Sequence, residues 1–452
     1  MAGTFSKIKS TFNLLRKIDF NQLGKLSEKI DLQEVMNSFS KLDDTQLKAL
    51  MKMMKAEKTE RALPPINGDF YELHLRLNEE DRAIQLKVRE FMEKEIKPLV
   101  NNYWLHDEFP HEIIPKFTEL GLCGVTYKAY GCPGKSFLME GIIAMEMARI
   151  DASIATFFGV QSGLSMGSIY LCGSEEQKQE WLPGMHQMKI IGAFGLTEPE
   201  VGSSAAGGLT TTAKRTSKGW MLNGQKKWIG NATFADVTVI WARDLDDNQV
   251  KGFLVRKGTP GFSVEKIKGK MALRIVQNGL ITMNDCLVEE KDRLQLANSF
   301  KDTARVLQMT RAGVAWMAVG TARGAYENAL DYTMKRKQFG KPIASFQLIQ
   351  NHLVEMLSNL TAMQSLVFRL SELQDQGLLK DEHASLAKVF CSLRTRDIVS
   401  KAREVMGGNG ILLDHNVARF VADAEAIYSY EGTKEINSLI VGRAITGMSA
   451  FV

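Results

Sequence analysis

The hydrophobic period of this chain changes twice, and that order limits the folds open to it. From Asn78 to about residue 191 the pattern is helical: Ile84, Val88, Phe91 and Ile96 share one face, and Pro98 is expected to end that helix. From about Gly192 the period shortens. Residues 210–213 read as a strand, 220–222 and 225–228 as two strands joined by a two-residue Asn223-Gly224 turn, and 237–241 and 279–288 as further strands. After about Asn298 the helical period returns in three long Ala-, Leu- and Met-rich runs, 306–334, 347–373 and 381–405. Strands confined to one central block cannot alternate with helices, which excludes a βαβ dinucleotide-binding sheet. The expected fold is mainly α with a central β domain. A helical extension over 1–65 precedes an N-terminal helical domain over 66–191, a middle β domain over 192–297 and a C-terminal helical bundle over 298–452.

A chain of 452 residues is too long for one compact core. In the first part, Ile8, Phe12, Leu15 and Ile18 form one helical face, and Leu47, Leu50, Met51 and Met54 another. Lys7, Lys9, Arg16 and Lys17 occur there before any acidic residue, as in a mitochondrial presequence. The acids from Asp19 onward favour a retained extension instead. Its role is open between membrane-surface contact, partner docking and extension of the bundle. Residues 62–68, with Pro64, Pro65 and Gly68, read as a linker.

A net charge of +5 is mild and does not argue for nucleic acid. The five cysteines form no CxxC pair and the seven histidines no HxxxH or HExxH, so neither a disulfide framework nor a metal centre is expected. Residues 152–174 carry no formal charge, but Gln161, the serines and four glycines suit a buried bundle helix better than a membrane span.

Short polar segments punctuate this frame. Tyr430-Glu431-Gly432-Thr433 places one carboxylate in a break between two helical stretches. Upstream stand Phe194-Gly195-Leu196-Thr197-Glu198-Pro199, Gly202-Ser203-Ser204, Trp228-Ile229-Gly230-Asn231, Arg336-Lys337-Gln338-Phe339-Gly340 and Gly407-Gly408-Asn409-Gly410. Singly, each is ordinary loop or helix-end chemistry. In this order and spacing they resemble the acyl-CoA dehydrogenase/oxidase flavoprotein family from about Asn78 to Phe451, with the glutaryl-CoA dehydrogenase and short-chain acyl-CoA oxidase branches as the nearest look-alikes.

The resemblance implies FAD as cofactor and Glu431 as the general base that removes a proton α to a thioester. That task needs a poorly solvated carboxylate without a salt-bridge partner. The Glu431 N–H would polarise the thioester carbonyl, and Thr433 and Glu435 at the following helix start would meet the flavin pyrophosphate. Phe194, Leu196, Thr197, Trp228, Ile229 and Gly230 would hold the flavin ring, and Gly202 and Ser203 would approach the pyrophosphate. The family usually has aspartate where Ser204 stands. Arg336, Phe339, Gln347, Glu404, Val405, Gly407 and Gly408 would contact the adenosine half of a flavin held mainly by a neighbouring subunit, which implies a homotetramer. Thr156, Ser203, Gln308, Arg311, Tyr430 and Gly432 would line the acyl-CoA site, with Arg311 open between a structural ion pair and a ligand contact.

Ala155 is the departure that matters. Glutaryl-CoA dehydrogenases carry an arginine there to hold the distal carboxylate, and alanine cannot pair a buried charge. The expectation is an FAD-dependent enzyme of fatty acid β-oxidation that converts a saturated, uncharged acyl-CoA to its trans-2-enoyl product. It would pass electrons to an electron-transfer flavoprotein in a bacterial-type cytoplasm. An oxidase that makes peroxide is the nearest rival, through likeness in residues 267–278 and 314–316. A glutaryl-CoA dehydrogenase and a non-redox scaffold are the others.

Overall fold

The computed structural model describes residues 64–450, preceded by Asp43, Thr45 and Gln46. The chain divides into two compact units, Met1–Pro65 and Ile66–Val452. The division falls inside the 62–68 linker. The amphipathic faces expected over residues 8–18 and 47–54 lie outside the described residues. Every expected site residue belongs to the second unit.

Helix α1, Glu79–Phe91, starts at Asn78, whose side-chain oxygen accepts the Asp81 N–H at 2.8 Å. Glu79, Glu80 and Asp81 fill the first turn, where the helix dipole favours acids. Its apolar stripe continues as Val88, Met92, Ile96 and Val100, none more than 1% exposed. Pro98 does not end the helix as expected. The turn Met92–Ile96 widens to π geometry, and the chain runs on as α2, Lys97–His106, with Pro98 in its first turn. The wide turn displaces the regular pairing, so the hydrogen bond that proline cannot make is not missed.

Helix α3, Ile113–Leu120, ends on the left-handed Gly121. A two-residue hairpin, β1 (Lys128–Ala129) with β2 (Cys132–Pro133), leads to α4, Phe137–Ile150. The uncharged run then forms α5 (Ala152–Gly159), a π turn (Val160–Ser165) and α6 (Met166–Cys172), mostly buried within the bundle. Among the described residues no helix is long and apolar enough to cross a membrane. A Ser174–Gln177 capping box opens α7, Glu175–His186.

The middle section holds β3 (Gly192–Gly195), a single helical turn α8 (Ala205–Gly208), β4 (Thr212–Thr216), β5 (Gly219–Ile229), β6 (Val237–Asp244), β7 (Val250–Arg256), β8 (Phe262–Lys266) and β9 (Gly279–Val288). These strands form one mixed sheet in the order β3-β6-β4-β5-β9-β8, with β7 on the other edge of its β6 pairing. Val237, Val239 and Trp241 of β6 face the helical core, while Ile240 and Ala242 join Ala193, Trp220 and Phe253 in a second core on the opposite face. Asn223-Gly224 is not the expected turn. β5 runs straight through it, and its pairing with β9 slips between Leu222 and Gly224. Gly224 has φ 137°, and a Cβ there would lie 2.7 Å from the Thr211 Cα, so this glycine marks a bulge. The chain reverses at Ser217-Lys218 instead, between β4 and β5.

The C-terminal section is built on α9, Phe300–Lys335, whose 36 residues span about 54 Å. A small hairpin, β10 (Lys337–Gln338) with β11 (Lys341–Pro342), leads to α10 (Gln347–Asp375), α11 (Asp381–Val405), α12 (Val417–Ser429) and α13 (Lys434–Thr446). Gly141 lets α4 approach α9: a Cβ there would come 2.2 Å from the Trp316 Nε1, which donates to the Ser371 hydroxyl at 2.9 Å. A charge network crosses the same seam. Glu146 accepts from Arg89 at 2.8 Å, and Arg149 reaches Glu93 at 2.7 Å and Glu327 at 3.0 Å. Arg323 binds Glu327 at 2.7 Å. Glu146 is fully buried and Arg149 and Arg323 nearly so. Three guanidinium groups therefore meet three carboxylates, and the pairing offsets their desolvation.

Candidate active site

The break between α12 and α13 is short because two successive residues turn the chain in the left-handed region, Glu431 at φ 50° and Gly432 at φ 83°. Such a conformation is free to glycine but unfavourable for glutamate, so the surroundings must hold it. They do so from below. Lys388 of α11 donates to the Gly432 carbonyl at 2.5 Å, and Asn437 of α13 donates to the same oxygen at 2.9 Å. Thr433 caps α13, its hydroxyl accepting the Ile436 N–H at 3.3 Å.

The turn directs the Glu431 carboxylate toward α9, where it accepts the Thr310 hydroxyl at 3.0 Å on Oε2. It has no ion-pair partner among the described residues. Burial pushes its pKa above the ordinary carboxyl range, and the Thr310 hydrogen bond and the charges of Arg311 and Lys388 pull it part of the way back. Lys388 is itself 1% exposed, and burial lowers its ammonium to about 8 against the pull of Glu431. Tyr430 contacts the Met317 sulfur at 3.7 Å and lies near Thr156 of α5, whose hydroxyl donates to the Ala152 carbonyl at 2.8 Å; burial pushes the Tyr430 phenol up. Ala155, the neighbour of Thr156, is 4% exposed. Arg311 pairs with Asp381 at the start of α11 and reaches the Ser385 hydroxyl at 3.4 Å. Gln308 lies half-buried on the same helix.

A second group gathers at the sheet. Lys226 is completely buried on β5 and donates to the Leu196 carbonyl at 3.0 Å and to Glu198 at 2.9 Å. The other bonds of Glu198 come from the Thr210 N–H at 2.7 Å, the Thr210 hydroxyl at 2.6 Å and the Thr211 N–H at 2.9 Å. Burial works to raise its pKa, but Lys226 and these donors hold it at about 2, while burial takes Lys226 down to about 8. The Lys227 N–H donates to the Thr197 carbonyl at 2.8 Å. Loop 196–201 is thus tied to β5 at three consecutive residues.

Trp228 follows at φ 68° with its indole 53% exposed, and its carbonyl accepts from Asn278 at 3.0 Å. A large aromatic held out of the core in a strained conformation is what a platform for a flat heterocycle requires. Ile229 follows, buried, and a Cβ on Gly230 would lie 3.2 Å from the Val160 side chain of the π turn. Phe194 and Leu196 are buried, Thr197 is half-buried, and Gly202, Ser203 and Ser204 are exposed. This mix of an exposed indole, buried apolar side chains and an exposed Gly-Ser loop is chemically compatible with a flavin.

The third group stands elsewhere. Arg336, Phe339 and Gln347 are exposed where α9 gives way to α10, with Phe339 91% exposed at φ 51°. Glu404 meets His352 at 3.7 Å, and Asn409, just beyond the exposed Gly407 and Gly408, donates to Tyr332 at 2.8 Å. Val405 is buried beside them and Glu435 is exposed on α13, accepting from Tyr428 at 3.1 Å. Arg311 lies within α9 and Arg336 just past its end, 25 residues on and about 37 Å along the axis.

Two residues of the first group escaped the sequence reading, Thr310 and Lys388. A signal for Lys388 existed: Ala384, Ala387, Lys388 and Cys391 recur at helical spacing on the buried face of α11, so a lysine occupies a core register.

Comparison with known proteins covers the same span. Family models for the N-terminal, middle and C-terminal domains of acyl-CoA dehydrogenases match residues 78–189, 193–286 and 300–446. An acyl-CoA dehydrogenase of Bacillus subtilis (strain 168) is 33% identical over 378 residues, 82% of this chain and all of its own length. The caffeyl-CoA reductase–Etf complex subunit CarC of Acetobacterium woodii is 32% identical over 370 residues, 80% of this chain and 97% of its own. The crystal structure of glutaryl-CoA dehydrogenase from Mycobacterium smegmatis superposes with a TM-score of 0.83 at 37% identity, covering 85% of this chain and all of that one. The crystal structure of a glutaryl-CoA dehydrogenase from Mycobacterium smegmatis in complex with FADH2 gives 0.82 at 35% identity over 84% of this chain and 98% of that one. With three domains matched in order along most of its length, this chain belongs to the acyl-CoA dehydrogenase family of FAD-dependent oxidoreductases that act on CH–CH bonds.

Proposed function

We propose that this chain dehydrogenates a saturated, uncharged acyl-CoA to its trans-2-enoyl-CoA, with Glu431 as the base. One observation supports this reading above the others: a carboxylate without an ionic partner sits in a left-handed turn, its pKa raised by burial and a hydroxyl hydrogen-bonded to one oxygen. Such a group accepts a carbon-bound proton better than a solvated carboxylate does. The Glu431 N–H makes no hydrogen bond within the described residues. It can therefore polarise the thioester carbonyl and acidify the α-carbon. Trp228, Thr197 and the 202–203 loop would hold the flavin. The bound flavin supplies the acceptor for the hydride that leaves the β-carbon.

Ala155 supports the uncharged tail. It is buried, next in sequence to Thr156, and a carboxylate placed there meets a methyl group instead of a cation. This separates the chain from the activity named for its Mycobacterium smegmatis neighbour. The distance of about 37 Å between Arg311 and Arg336 supports shared sites. A flavin whose ring lies near Glu431 cannot also reach the Arg336 end of the same α9, so that end serves a neighbouring subunit, as in a homotetramer. The relative named as part of an Etf complex supports an electron-transfer flavoprotein as acceptor.

Anaerobic bleaching of the bound flavin by a panel of acyl-CoA thioesters tests the whole reading. Butyryl- or hexanoyl-CoA should bleach faster than glutaryl-CoA, and Glu431→Gln should keep its flavin while losing about a thousandfold in rate. A glutaryl-CoA preference sinks the tail assignment, and an active Glu431→Gln enzyme sinks the base. Peroxide formation in air without an added acceptor marks an oxidase.

A further inference from the structure

We infer that Lys388 is a positioning residue for the reaction: its ammonium fixes the Gly432 carbonyl under the Glu431 turn and supplies the positive charge that keeps Glu431 in its proton-accepting form. The inference rests on Glu431 being the base proposed above. Three observations carry it. Lys388 emerges from the buried face of α11 among Ala384, Ala387 and Cys391, a position where a methionine or leucine would pack without losing hydration. Its hydrogen bond to the Gly432 carbonyl, at 2.5 Å, is duplicated by Asn437 at 2.9 Å. Holding the turn therefore does not by itself account for a cation. Lys388 and Glu431 also lie close enough that each charge stabilises the other.

The remaining charges do not replace it. Arg311, on α9, also favours the ionised Glu431, but its charge is shared with Asp381 at the head of α11. Glu435, in the first turn of α13, is exposed and adds negative charge on the far side of the loop. Tyr430 is held neutral by burial, and Asp423 of α12 acts on that tyrosine from behind. Lys388 is thus the cation near Glu431 that has no carboxylate of its own among the described residues. An ammonium placed there shifts charge without forming a contact salt bridge that would leave the base inert.

The test compares Lys388→Met, Lys388→Gln and Lys388→Arg holoenzymes in two measurements. The first is the pH dependence of flavin bleaching by the acyl-CoA that the wild type bleaches fastest with. The second is an infrared titration of the Glu431 carboxyl, taken as the difference between each protein and its Glu431→Gln counterpart. Met and Gln should displace the acid limb to higher pH, with bleaching about tenfold slower below the limb and little changed on the alkaline plateau. The Glu431 infrared band should titrate at correspondingly higher pH, and Arg should restore both.

Gln keeps a donor for the Gly432 carbonyl, so it carries the comparison if Met does not fold. An acid limb and an infrared titration that stay in place in flavin-bound Lys388→Gln overturn the inference and leave the lysine as a second strap. If no acyl-CoA bleaches the wild type, the reaction assigned above fails, whereas the infrared titration still decides the role of Lys388.

Discussion

Thr310→Val removes one oxygen atom and keeps the branched shape that α9 already accommodates. In the wild type that oxygen donates to Glu431 Oε2 at 3.0 Å and is the strongest of the influences that favour the ionised carboxylate against burial. A hydrogen bond to a charged group contributes about 1.5–3 kcal/mol, so its loss lowers the ionised fraction roughly ten- to a hundredfold at a pH below the folded-state pKa. The rate of anaerobic flavin bleaching should fall by that factor at acid pH and return close to the wild-type value on the alkaline plateau, where Glu431 is ionised in both.

Stability gives a second reading with a fixed sign. Burial raises the Glu431 pKa above its unfolded value, so folding opposes ionisation. The cost is absent below the unfolded pKa and grows as pH rises through the folded one. Thr310→Val enlarges it, so the variant should melt below the wild type at neutral pH and converge with it in acid. A bleaching profile that overlays the wild type at every pH, with flavin bound, refutes the reasoning.

Three further outcomes rest on particular contacts. Gly141→Ala drives a methyl into the Trp316 indole, where contact would be 2.2 Å, and should cost about 1–3 kcal/mol in denaturant unfolding. Glu198→Gln strands the buried Lys226 and should cost about 3–5 kcal/mol and loosen flavin retention, measured as flavin per chain after gel filtration. Because the Glu198 pKa is held at about 2, the stability it contributes is complete above the free-carboxyl value and is lost as pH falls toward 2. The variant should lack that acid-dependent decline. Ala155→Arg should raise the rate with glutaryl-CoA relative to butyryl-CoA by about tenfold through a new charge-assisted pair, and an unchanged ratio would place the acyl tail elsewhere.

Much of the architecture was legible because long periodic runs leave little room for alternatives. The run 381–405 and the strand 279–288 end where the sequence pattern ends. The errors came from single residues whose meaning depends on the partner strand or turn. Asn223-Gly224 carries the strongest hairpin signal in the chain, but β9 lies alongside and admits an extra residue as a bulge. Pro98 stops an α-helix only if the preceding turn keeps α pairing, and here it does not. At the site, the motif residues Glu431 and Trp228 both stand in the left-handed region, which their local sequence does not announce. Thr310 and Lys388 stand more than 40 residues before the loop they contact, and no local spacing links them to it.

The six-membered charge network across α1, α4 and α9 sets how this protein can be divided. Cutting the chain before α9 would leave Arg89, Arg149, Glu93 and Glu146 without Arg323 and Glu327. The fragment would face water with an arginine and a fully enclosed glutamate in a seam built to be dry. Neither helical section is therefore a portable module. Gene fusions, split reporters and truncations meant to isolate the amino-terminal bundle should yield aggregating material, whereas circular permutants that preserve the seam should remain whole.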